Sequence, residues 1–109
     1  RALAMDPKSV HIQDSYGWVN FRLGNMEVAR NYLEMAWGKE PLAEVAAHLA
    51  DVYYELGDAD RAFEYLQSGY ELDSLDKALL ETIKRLGYEP KQKTEPQEAG
   101  DESQSEEVN

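Results

Sequence analysis

One segment of this chain recurs after 33 residues. "RLGNMEVARNYLE" (22–34) and "ELGDADRAFEYLQ" (55–67) share Leu-Gly, an Ala five positions after the Gly, and Tyr-Leu, in the same order. Self-similarity at such a period is typical of chains built from small supersecondary units that stack on their neighbours, because one unit cannot bury its own apolar face. This repeat constrains the fold more than any single residue does.

Apolar residues follow helical spacing from Lys8 to Leu86, and no stretch alternates apolar and polar residues as a half-buried strand would. Glycines and capping residues divide this region into five predicted helices. The first opens at Asp6-Pro7 and ends at Leu23, and the second follows Asn25 to about Trp37. The third opens at Pro41 and ends before Gly57, the fourth follows Asp58 to about Leu72, and the fifth runs from Ser74 to Gly87. We therefore expect an all-α fold.

Small residues recur where the two helices of a pair would approach most closely. Gly17 and Ala50 lie on the first and third predicted helices, and Ala29 and Ala62 lie on their partners. Close approach of two helix backbones requires small side chains at the contact, so these positions predict paired helices packed tightly together.

These helix pairs, joined by Leu-Gly-Asn/Asp turns at a period near 34, resemble the tetratricopeptide repeat. Positions in register include the turn glycines, the alanine of the second helix and the closing proline: Gly24, Gly57, Ala29, Ala62, Pro7 and Pro41. The resemblance implies a helical solenoid with the end of a preceding repeat (1–7), two repeats (8–40 and 41–73) and a capping helix (74–87). The polar, acidic composition of the remaining chain predicts a disordered acidic tail (88–109). The chain departs from the family pattern at Gln13, Gly69 and Ser74.

The charge balance disfavours several classes of partner. The chain has 22 acidic and 11 basic residues, which repel phosphate backbones and anionic lipids, so we expect no nucleic acid and no direct membrane insertion. The absence of cysteine excludes a disulfide framework and a thiolate metal site. No catalytic motif stands out, so we predict a protein that is not an enzyme and needs no cofactor.

In the family, the first helix of each pair lines a concave groove that holds a partner peptide or domain. Carried over by register, the resemblance implies these partner-binding residues: His11, Asp14, Trp18, Phe21, Arg22, Glu44, Ala47, His48, Asp51, Tyr54 and Glu55. The three aromatics would anchor the partner, and Asp14, Asp51 and Glu55 would select basic groups. The alternative is that Trp18 and Phe21 pack against an upstream repeat. Trp37, at the end of the second helix, is expected to pack against a loop rather than bind a partner.

Two narrower ligand classes are disfavoured. Glu44, His48, Asp51 and Glu55 share one predicted helical face, but one histidine among surface carboxylates is a weak metal set, so we predict no metal. A subset of the family grips carboxylates with basic groove residues. Here Arg22 is the only fixed positive charge in the predicted groove. We therefore expect a protein or peptide partner that is basic or apolar at the contact.

The sequence thus favours a scaffold or adaptor module for protein–protein interaction. Because the chain begins at Arg1, we expect the C-terminal part of a longer protein. The alternative is a purely structural cap of a longer solenoid, or self-association through an edge at Val10 and Ile12. A likeness to the C-terminal repeats of large bacterial tetratricopeptide proteins, some of them envelope lipoproteins that act as adaptors, implies the cell envelope or periplasm and leaves the cytoplasm open.

Overall fold

The structure is a computed structural model that describes residues 9–92. Five helices follow one another: α1 (Val10–Arg22), α2 (Met26–Lys39), α3 (Ala43–Glu55), α4 (Ala59–Leu72) and α5 (Lys77–Leu86). Between residues 9 and 92 there is no strand, so the prediction of an all-α fold is confirmed. None of these helices has the length and apolar character needed to cross a membrane. The predicted end of a preceding repeat at 1–7 and residues 93–109 of the predicted tail lie outside the described residues.

Left-handed glycines set the ends of three helices. Gly24 and Gly57 both have φ 87°, and Gly87 has φ 76°, a region that glycine enters without the steric penalty of a Cβ. The first two lie 33 residues apart, and the helices before and after them have the same lengths in both copies. The repeated Leu-Gly sequence is therefore the turn inside each helix pair.

The helix starts agree with the sequence prediction in part. The Asp58 carboxylate accepts a hydrogen bond from the backbone N–H of Arg61, so it caps α4 as predicted. The predicted cap at Ser74 is wrong, because the Asp76 side chain accepts from the backbone N–H of Leu79 at 2.9 Å and α5 begins at Lys77.

The two other predicted helix starts differ in detail. The Asn25 side chain makes no capping bond to α2, because its amide donates to the Asn20 side-chain oxygen at 3.0 Å instead. Pro41 precedes the third helix rather than opening it. The extended backbone of Leu42 forms the N-cap, and α3 begins at Ala43.

Helix α3 is the centre of the fold. It contacts each of the other four helices, while α1 packs mainly on α2 and α5 packs on α3 and α4. Every residue from Val45 to Tyr53 is buried. A helix buried on all sides needs small and apolar residues all round, which is why this segment carries three alanines among its valines and leucine.

Two glycines lie where helices approach closely. A Cβ added at Gly17 would lie 2.7 Å from Leu33 Cγ and 3.2 Å from the Ala29 carbonyl oxygen, so α1 and α2 meet there without room for a methyl group. A Cβ at Gly69 would lie 2.8 Å from Leu79 Cδ1 and 2.9 Å from Ala46 Cβ. At position 69 this chain has glycine where the family pattern has alanine. The missing side chain therefore leaves room for α5.

Residues 88–92, which the sequence assigns to the disordered tail, pack against α4. The Gln67 side-chain oxygen accepts from the Tyr88 hydroxyl at 2.7 Å and from the Lys91 backbone N–H at 2.9 Å. The Gln67 amide donates to the Lys91 carbonyl at 3.0 Å, and the Tyr88 ring stacks on Phe63 at 5.1 Å. One glutamine thus pairs with both polar backbone groups of Lys91, and the segment forms an ordered strap over α4.

Candidate functional site

The eleven predicted partner-binding residues all lie on α1 and α3, the first helices of the two pairs. Seven of them are exposed or half-buried: His11, Trp18, Phe21, Arg22, Glu44, Tyr54 and Glu55. Four are buried: Asp14, Ala47, His48 and Asp51. These four are therefore not free on a groove wall, because α3 is covered by neighbours on every side and Asp14 of α1 is buried against His48 of α3.

An aromatic row joins α1 to α3. The Trp18 indole stacks on Phe21 with ring centroids 4.9 Å apart, and on the His48 ring with centroids 4.1 Å apart and planes at 19°. Trp18 thus packs on the following repeat, whereas the sequence alternative placed it against a preceding one. Trp18 and Phe21 remain half-buried, so part of this row stays open to a partner. Tyr54, further along α3, is 43% exposed.

Two buried carboxylates link α1 to α3 and α3 to α5 through partners 34 residues further along the chain. Asp14 of α1 lies 2.7 Å from His48 Nδ1 of α3. Asp51 of α3 accepts two hydrogen bonds from the Arg85 guanidinium of α5, at 2.7 Å and 3.0 Å. The hydrogen bond to Asp51 raises the pKa of Arg85. Each carboxylate is satisfied within the protein, so neither is free to select basic groups on a partner.

Sequence reasoning missed the role of Arg85 in this contact. The signal was present in the chain, since Asp51 and Arg85 have the same 34-residue separation as Asp14 and His48. Thr82 supports the contact through a 3.3 Å hydrogen bond from Arg85 to its hydroxyl. An acid and a base one repeat apart therefore indicate a contact between repeats.

Asp14, Glu44 and His48 form the cluster of possible metal ligands within the described chain. One ligand atom from each side chain lies within 4.8 Å of the other two. Asp51, which shares a sequence-predicted helical face with Glu44 and His48, points to Arg85 instead. Asp14 of α1 takes its place, which spacing along one helix could not predict.

Helices α2, α3 and α4 share a separate polar network. The Glu34 carboxylate accepts hydrogen bonds from the Tyr53 hydroxyl and from the Tyr65 hydroxyl, the latter at 2.9 Å and 3.0 Å. Burial, followed by the bond to Glu34, raises the pKa of both phenols. Trp37 meets Tyr65 edge to face at 5.4 Å, so it packs between the pairs and lies outside the predicted site.

The side of α1 away from α3 presents an apolar stripe. Tyr16 is 51%, Val19 52% and Leu23 70% exposed, at successive helical turns. Val10, which the sequence places in a self-association edge, is buried, and Ile12 is half-buried. The exposed apolar surface of α1 therefore lies closer to the end of the helix than predicted.

Comparison with known proteins agrees with this architecture. The tetratricopeptide repeat family model matches residues 43–74, which contain α3 and α4. Over 51 residues the chain is 41% identical to TPR repeat-containing protein PA4667 of Pseudomonas aeruginosa. That match covers 47% of this chain and 9% of the relative, so the chain spans a small part of that protein's length.

Residues 43–74 therefore form a tetratricopeptide repeat, and the resemblance that the repeated turns and alanines predicted is confirmed. Repeats of this family generally mediate protein–protein interaction, and the family is one of binding repeats rather than of enzymes.

Proposed function

We propose that this chain is a non-catalytic binding module that holds a segment of a partner protein against α1 and α3. The observation that carries the proposal is the aromatic row of Trp18 and Phe21, which remains partly open although it is stacked on His48. Aromatic side chains held rigidly by stacking are effective anchors, since they present a large apolar surface and lose little conformational freedom on binding. Tyr54 extends this surface along α3.

Charge supports a basic partner. The chain carries a net charge of −11, and Glu44 and Glu55 are exposed on the same helix as Tyr54. Because Asp14 and Asp51 are occupied by His48 and Arg85, the two exposed glutamates replace them as the groups that would attract Lys or Arg. The proposed ligand is therefore a peptide segment that combines apolar residues with basic ones.

The proposal is tested by selecting peptides from a displayed random library on the immobilised protein, and then measuring their affinity for variants. We expect selected peptides to be enriched in Lys, Arg and large apolar residues. Trp18→Ala and Tyr54→Ala should each weaken binding at least about tenfold, since central aromatic anchors contribute about 2 kcal/mol or more. Tyr16→Ala is the matched control, because Tyr16 is an exposed aromatic on the apolar stripe of α1.

Circular dichroism of each variant separates lost contact from lost folding. Folded Trp18→Ala and Tyr54→Ala proteins that bind the selected peptides as tightly as the parent would overturn the proposal.

The second candidate function is structural, with the chain serving as the end of a longer solenoid. The strap of residues 88–92 favours it, because it covers α4 where further repeats would otherwise continue. In that case the selection from the random library should yield no peptide that binds α1 and α3. Sedimentation at several concentrations tests the related possibility of self-association, which would use the exposed stripe of Tyr16, Val19 and Leu23.

A further inference from the structure

We propose that Asp14, Glu44 and His48 bind one divalent transition-metal ion of the zinc class and thereby connect α1 to α3. The site shares Glu44 with the proposed peptide contact, but its three ligands come from this chain and need no partner protein. It also differs from the sequence expectation of no metal, since one of the three ligands comes from a different helix.

The positions of the three side chains suit a small ion. Glu44 and His48 lie four residues apart on α3 and so share one face, while Asp14 reaches them from α1. Their ligand atoms lie within 4.8 Å of one another. Ligands at about 2.0–2.2 Å from a tetrahedral zinc ion lie about 3.4 Å apart, so modest rotation of the exposed Glu44 side chain brings the set together. Three protein ligands leave the fourth position for water.

Two of the three ligands are already held in place. Asp14 is 6% and His48 9% exposed, and the Trp18 indole covers the imidazole at 4.1 Å. Asp14 Oδ1 and His48 Nδ1 lie 2.7 Å apart, with one proton shared in a hydrogen bond. An ion that replaces this proton requires the two atoms to separate by about 0.7 Å, and little ordering of flexible side chains is needed.

The donor atoms select the class of ion. One imidazole and two carboxylates form a mixed nitrogen and oxygen set, which suits zinc and its neighbours cobalt and nickel. Calcium and magnesium prefer oxygen alone. Two carboxylates facing one imidazole also leave an excess of negative charge. Arg85, which is bonded to α3, is paired with Asp51, so it does not neutralise them.

Isothermal titration of zinc chloride into the untagged full chain, without any partner, tests the site. We expect one ion per chain, and a melting temperature that rises with zinc concentration because the ion binds only the folded state. Cobalt chloride should give the intense visible absorption of a four-coordinate ion. Glu44→Gln should weaken zinc binding at least tenfold, and it should leave the melting temperature in EDTA unchanged because Glu44 is exposed.

Matched controls lie on the same helices. Glu55→Gln removes an exposed carboxylate from the far end of α3, and His11→Gln removes the exposed histidine of α1. Both should bind zinc like the parent chain. Absence of saturable binding at one ion per chain, or unchanged affinity in Glu44→Gln, would overturn the metal site. Neither result bears on the peptide-binding proposal, because no peptide is present in this experiment.

Discussion

Gly17 and Gly38 lie inside the first helix pair, but their surroundings differ. A methyl group at Gly17 would lie 2.7 Å from Leu33 Cγ, a side-chain carbon of the facing helix that is itself fully buried. A methyl group at Gly38 would meet no atom within 4 Å. The two positions therefore separate the effect of close helix packing from the intrinsic preference of helices for alanine over glycine.

Gly17→Ala should destabilise the protein by up to about 2 kcal/mol. Overpacking costs about 1–3 kcal/mol, and alanine regains about 1 kcal/mol of helix propensity. Gly38→Ala gains helix propensity without any overpacking. The free energy of unfolding should therefore stay the same or rise by up to about 1 kcal/mol. Urea unfolding followed by circular dichroism measures both. Equal effects of the two substitutions would show that α1 and α2 are not in tight contact at Gly17.

Single residues also show what the sequence could predict. The turn glycines were predictable, because a left-handed backbone strongly restricts the choice of residue, and Gly24 and Gly57 have φ 87° as expected. The burial of Asp14 and Asp51 could not be predicted from the sequence. Their register matches the exposed wall of the family's groove, and what buries them is a histidine and an arginine on other helices. Pairing of this kind depends on the assembled fold and is only indirectly visible in spacing.

At the scale of elements, Glu34 of α2 joins α3 and α4 through the hydroxyls of Tyr53 and Tyr65. Burial and the bond to Glu34 raise the pKa of both phenols above the ordinary value near 10.0. The folded state therefore holds these protons more tightly than the unfolded chain does. The resulting stability is fully present below about pH 10, and it is lost as pH rises from there towards the folded-state pKa values.

Tyr65→Phe should make the alkaline loss of stability shallower, because one of the two protons involved is absent. It should also cost about 1 kcal/mol at pH 7, where a hydrogen bond to Glu34 is missing. Urea unfolding between pH 7 and about pH 11 measures both effects. Tyr16→Phe is the control, since Tyr16 is 51% exposed and takes no part in the Glu34 network. If the free energy of unfolding falls equally steeply with rising pH in the parent and in Tyr65→Phe, this account is wrong.

The helices were largely predictable from the sequence, but the ordered segment of residues 88–92 that follows α5 was not. The observed helices end within about two residues of the predicted positions, because glycines and helical apolar spacing mark them. The strap of residues 88–92 carries the polar composition of the tail that follows, and composition alone assigns it to that tail. What orders it is a side-chain amide on α4 that matches the backbone of Lys91, together with one aromatic stack.

At the scale of the whole molecule, α3 links all other helices, so its core should decide whether they unfold together. Leu49 is fully buried at the middle of α3, whereas Leu75, in the turn before α5, is 82% exposed. Replacing a buried leucine by alanine costs about 2–5 kcal/mol, a large share of the total stability of a small domain. Leu75→Ala should change stability by less than about 0.5 kcal/mol.

Two probes distinguish collective from stepwise unfolding in Leu49→Ala. Trp18 and Trp37 lie in the first helix pair and pack on His48 of α3 and Tyr65 of α4, so their fluorescence reports the first pair and its contacts with the second. Far-ultraviolet circular dichroism reports all five helices. Solenoids can unfold repeat by repeat, because each repeat contacts only its neighbours. Here the helix that carries Leu49 belongs to the second pair and also contacts the first pair and α5. Both probes should therefore shift to the same lower urea midpoint. Fluorescence that keeps the parent midpoint while the dichroism shifts would show that the first pair folds without α3.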